Sequence, residues 1–75
     1  MHKHDRDKLL ALTKRAIEIN EELLSDEKEF IKVVIAGGTP SSLASMNEKL
    51  NLLCRKEHLY LSAAKFLLGE INKTT

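Results

Sequence analysis

The segment Val33-Val34-Ile35-Ala36-Gly37-Gly38-Thr39-Pro40-Ser41-Ser42-Leu43 decides the fold of this 75-residue chain. It is the one strong break between two stretches, Leu9 to Ala36 and Leu43 to Ile71, in which apolar residues recur at helical spacing. Within the break, the residues stand in the order that a helix end and a helix start require. Gly37 suits the left-handed position after a helix C-cap, Thr39 suits an N-cap, and Pro40 fits the first helical position, where no N–H is needed. The expected fold is all-α, an antiparallel two-helix hairpin with helices at about 5–36 and 40–72, turning at Gly37, Gly38 and Pro40. Each helix has about 30 residues and is ~45 Å long. Asp5 and Asp7 suit the positive end of the first helix. No repeat, linker or low-complexity tract divides the chain, so one domain is expected over 1–75.

Working outward from the turn, the heptads define a seam. With Leu9 at position a, the first helix places Leu9, Leu12, Ala16, Ile19, Leu23, Asp26, Phe30 and Val33 at a and d. The second places Leu43, Met46, Leu50, Leu53, Glu57, Tyr60, Ala64 and Leu67 there. Folding back about the glycines pairs Val33 with Leu43, Phe30 with Met46, Asp26 with Leu50 and Leu23 with Leu53. It then pairs Ile19 with Glu57, Ala16 with Tyr60, Leu12 with Ala64 and Leu9 with Leu67, the two numbers of every pair having the same sum. The same register sets Glu29 near Lys49, Glu22 near Lys56 and Lys8 near Glu70. Such charges contribute only tenths of a kcal/mol each, yet they favour this register over its neighbours. The seam carboxylates Asp26 and Glu57 could fix register or reach a partner's basic group, but the expectation is that their side chains reach out to the seam edge.

Composition bounds the function. The chain is half an average domain in length, which excludes a two-lobed enzyme, and so small a chain buries little surface by itself. It has 43% hydrophobic and 31% charged residues, three Gly, one Pro and few aromatics, which is the balance of Leu-rich amphipathic helix. Twelve Lys and Arg against eleven Asp and Glu leave a net charge of +1, far from the excess that tracks phosphates, so no nucleic-acid partner is expected. The lone Cys54 forms no internal disulfide, and no secretion signal or membrane-spanning run is read. The expectation is a cytoplasmic protein that does not insert into membranes.

Fewer than half of the hydrophobic residues fall in the seam, and the remainder is patterned. Leu10, Ile17, Leu24 and Ile31 lie one heptad apart on the first helix, on the same side of the hairpin as Cys54, Leu61 and Leu68. Leu52, Leu59 and Phe66 form a second column toward the opposite side. The stretch Leu59 to Leu68 is apolar nearly all round, which two helices cannot bury. These columns are therefore read as partner-binding, the partner being either a different subunit or a second copy in a four-helix homodimer.

Other chemistry carries less. His2 and His4 beside Asp5 sit at a terminus expected to fray, not to ligate metal. His58 reads as a surface residue, and Cys54 as a small apolar one. The acidic run Glu18, Glu21, Glu22, Asp26, Glu27 and Glu29 lacks the Glu-x-x-His of di-iron bundles and reads as a solvated face. No phosphate loop, acid and base pair or zinc spacing is present, so neither an enzyme nor a cofactor is expected.

The polar and aliphatic first helix, the turn Ala36-Gly37-Gly38-Thr39, the charged Arg55-Lys56-Glu57 and the run Leu61-Ser62-Ala63-Ala64-Lys65-Phe66-Leu67-Leu68-Gly69 together resemble a known family. It is the small co-chaperones of type III secretion needle proteins, the YscE and PscE-like family. The resemblance spans roughly Leu12 to Lys73. It implies a cytoplasmic helical hairpin that binds a larger, tetratricopeptide-like chaperone subunit and, with it, keeps the needle protein unpolymerised before export. Two other readings compete. One is a homodimeric bundle that binds RNA, for which Lys3, Arg6, Lys8, Lys14 and Arg15 supply a patch diluted by Asp5 and Asp7. The other is a flagellar-type export chaperone that grips its client directly.

Overall fold

A computed structural model describes residues 1–74, and the last residue of the expected domain lies outside the described residues. Helix α1 runs over Lys3–Ile35 and α2 over Pro40–Thr74, packed antiparallel in a rod of 55 × 14 × 12 Å. Helix α1 starts two residues before the expected bound and ends one residue short of it, with Ala36 as its C-cap, and α2 runs two residues past its expected end. At the start, the His2 carbonyl accepts from the Arg6 N–H at 3.0 Å, so His4 lies in the first turn of α1 and not on a frayed end. His2 is the extended N-cap, without a side-chain cap, and Asp5 supplies the acidic charge of the first turn.

The turn forms as its residues dictate. Gly37 is the residue with positive φ, +81°, and donates to the Val34 carbonyl at 3.1 Å, while Gly38 donates to the Val33 carbonyl at 2.9 Å. These two bonds satisfy carbonyls that the end of α1 would otherwise leave open, in the Schellman arrangement. Gly38 is needed for closeness. A Cβ there would collide with the Val33 side chain and stand 3.1 Å from the Val33 carbonyl. Its absence lets Val33 and Leu43, the first seam pair, approach over the turn. The Thr39 hydroxyl then accepts from the Ser42 N–H at 3.2 Å, capping α2 with Pro40 at its first position.

Every position assigned to the seam is buried or half-buried. Ala16, Ile19, Leu23, Leu53 and Ala64 are buried, and Ile19, Leu23 and Leu53 form a core cluster on which Leu50 and Tyr60 pack. The seam is also one step longer than the heptads assigned. Ile71 is buried and Asp5 half-buried, and this pair continues the same numerical register beyond Leu9 and Leu67.

The charges correct the expected pairing. Lys49 Nζ lies 3.2 Å from Asp26 Oδ2 and not against Glu29, and Glu70 pairs along its own helix with Lys73 at 3.2 Å and not with Lys8. Glu22 and Lys56 form no ion pair among the described residues. Exposed flanking side chains gain too little from meeting in high dielectric to hold the expected geometry, whereas Lys49 finds a half-buried carboxylate within reach. The seam carboxylates also differ from expectation. Neither escapes fully to the edge, because Asp26 Oδ2 and Glu57 Oε2 are both out of contact with solvent.

Candidate protein-docking surface

A two-helix seam can bury one stripe of each helix, and that stripe is filled. What remains is outside. Leu10, Ile17, Leu24 and Ile31 of α1 are exposed by 49 to 57%, and Leu61 and Leu68 of α2 flank them across the groove at 47 and 42%. On α2, Leu52 is exposed to a similar degree, and Leu59 and Phe66 stand out further, at 67 and 71%. Cys54 is exposed as well. Thus all nine side chains assigned from the sequence to the two columns lie on the surface.

Sequence reasoning missed the upper end of the first column. Val34 and Ile35 are exposed by 49 and 80%, and they lie three and four residues after Ile31, continuing its apolar surface to the turn. The helical spacing carried this signal.

The total accessible surface measures the surplus. The chain exposes 5891 Å² for 8.5 kDa, whereas a compact monomer of that mass would expose about 4,700 Å². The difference is roughly 1,200 Å², more than the ~800 Å² that each partner contributes to a standard protein interface. The area alone does not fix affinity, but its composition matters, since the exposed side chains in the columns are Leu, Ile and Phe.

The first column is not uniformly apolar. Between α1 and α2 lies a recess of about 230 Å³ lined by Thr13, Ala16, Ile17, Asn20, Glu57 and Leu61. The Thr13 hydroxyl is turned back onto α1, donating to the Leu9 carbonyl at 2.9 Å. Beside the second column a recess of about 440 Å³ is lined by Cys54, Arg55, His58 and Leu59. Here His58 Nε2 and Ser62 Oγ are 3.4 Å apart. Arg15 bonds Glu18 at 2.9 Å, and this carboxylate, followed by the Tyr60 hydroxyl, holds the guanidinium above its ordinary pKa. Among the described residues no three His, Cys, Asp or Glu side chains converge as for a metal, and no helix is long and apolar enough to cross a membrane.

The fold and surface define a class, an antiparallel helical hairpin with a complete seam and unpartnered apolar columns on two sides. Compared with protein-family models, curated proteins and solved structures, the chain matches none.

Proposed function

We propose that this chain is a non-enzymatic co-chaperone of the type III secretion kind. It docks on a larger helical, tetratricopeptide-like chaperone in the cytoplasm, and the pair keeps a needle subunit soluble and unpolymerised before export. The observation that supports this reading is the placement of exposed apolar columns on two sides of a hairpin whose own seam is already filled. A symmetric dimer through one side would leave the other column exposed, whereas a concave partner embraces both. The resemblance of the Gly-Gly turn and the Leu61–Gly69 run to the needle co-chaperones is what suggests such a partner.

The test is an affinity pull-down from the native host with the unmodified chain and with Leu61→Glu/Leu68→Glu, the proteins identified by mass spectrometry. The expected result is a helical-repeat subunit together with a small helical export substrate, both lost with the double substitution. Recovery of RNA, or of the chain itself and nothing else, overturns the reading.

A further inference from the structure

The two carboxylates in the seam are treated differently by the fold. Asp26 Oδ2, out of solvent contact and without a hydrogen-bond partner, has the Lys49 ammonium as an ionic partner, Nζ 3.2 Å away on the opposite helix. Glu57 Oε2 is equally withdrawn from solvent and has no hydrogen-bond partner, and none of the ion pairs among the described residues includes Glu57. Its register partner is Ile19, an aliphatic residue buried to 2% exposure, which offers no donor. Lys56, the neighbouring cation, occupies the heptad position that turns to the other side of the seam. An acceptor held in this way loses its water and gains nothing from the hairpin itself.

Glu57 also lines the recess of about 230 Å³ between Ile17 and Leu61, in the middle of the first apolar column. Ala16, Ile17 and Leu61, with the polar Thr13 and Asn20, surround a carboxylate that lacks a counter-charge, and the chemistry that completes it is a cation on a long aliphatic stem. We propose that this recess is a socket for a Lys or Arg side chain carried on a helix of the partner, with Glu57 as its counter-charge. The partner helix packs along Leu10, Ile17 and Leu61, the stem of its basic residue lies against Ile17 and Leu61, and its head replaces the solvent that Glu57 Oε2 has lost. The apolar columns provide affinity, and the socket fixes the register of the partner helix along the groove. This inference rests on the docking role of the first column.

The experiment uses the full chain and a designed amphipathic helical peptide with Leu at its heptad seam positions and one Arg at its centre. It is compared with the same peptide carrying citrulline, the neutral isostere. Affinities are read by fluorescence anisotropy against the unmodified chain, Ile17→Glu and Glu57→Gln. The expected result is about tenfold tighter binding of the Arg peptide to the unmodified chain, a preference that weakens with salt and vanishes in Glu57→Gln. Circular dichroism of Glu57→Gln is expected to retain the helical signal, since a neutral amide is less costly to withdraw from water.

Equal affinity of the two peptides, or a preference that survives Glu57→Gln, overturns the socket. In that case loss of both peptides in Ile17→Glu still upholds the docking column. Failure of both peptides to bind the unmodified chain overturns column and socket together. If sedimentation then shows a tight dimer, the occupant is a second copy.

Discussion

Lys49 Nζ stands 3.2 Å from Asp26 Oδ2 across the hairpin, one residue from Leu50, which the heptads place opposite Asp26. The contact joins an exposed cation to a half-buried anion in the register in which Leu23 and Leu53 share the core. It therefore marks register more than it stabilises.

The effect of each charge follows. Lys49→Ala is expected to cost less than about 1 kcal/mol, because Lys49 is 61% exposed and screened by solvent. Lys49→Glu should cost more, through like-charge repulsion with Asp26, and Asp26→Leu should raise stability by about 1 kcal/mol by extending the apolar seam onto Leu50. Urea midpoints rank the three, and a Lys49→Glu chain as stable as the parent would refute the contact.

The seam itself is tested by truncation. Leu23→Ala and Leu53→Ala each remove a buried side chain from the central cluster and should destabilise by ~2 to 5 kcal/mol. Leu52→Ala, next in sequence but 55% exposed, should change stability by no more than about 0.5 kcal/mol in the isolated chain. If Leu52→Ala were the damaging change, the helix faces would be assigned wrongly.

At the turn, the two glycines should fail for different reasons. Gly37→Ala forces a Cβ into φ +81° and is expected to cost about 1 to 2 kcal/mol, with Gly37→Asn milder because Asn tolerates that region. Gly38→Ala is expected to cost more, since its Cβ collides with Val33 and opens the first seam pair. Thr39→Ala removes the cap to Ser42 and should cost about 1 kcal/mol. Thermal melts order the series, and a Gly38→Ala chain that melts with the parent would show that Val33 and Leu43 can rearrange freely.

How much of this was legible in the sequence depends on the scale of the forces. The Gly37-Gly38-Thr39-Pro40 turn and the faces of both helices were readable because a left-handed glycine, a proline at the first helical position and a seven-residue apolar period each exclude the alternatives. Asp5 with Ile71 was equally readable, one heptad step beyond Leu9 and Leu67, and was missed because Asp5 is polar. The ion pairs were not legible. Whether Lys49 meets Glu29 or Asp26 is decided by tenths of a kcal/mol and by the reach of a flexible stem, which spacing does not encode. The isolation of Glu57 was hidden for a related reason. Its seam position was plain, but whether Oε2 reaches water depends on the bulk of Ile17, Leu61 and Ile19 around it.

The exposed columns give the prediction on which function turns. Leu10→Glu/Ile17→Glu changes side chains 51 and 57% exposed, outside the seam, so the isolated chain should remain helical at all concentrations while capture of a different subunit is lost. A homodimer behaves otherwise. There the hairpin depends on its second copy for stability, so the added charges split the dimer and most of the helical signal disappears with it, at low concentration first. Circular dichroism with light scattering across a hundredfold concentration range separates the two. A dimer that persists through Leu10→Glu/Ile17→Glu and dissociates on Leu59→Glu/Phe66→Glu would transfer the interface to the second column, where Leu59 and Phe66 are the most exposed of the nine residues assigned from the sequence. A partner that embraces both sides predicts instead that either pair of substitutions abolishes its capture, since neither column alone provides the surface that the hairpin leaves uncovered.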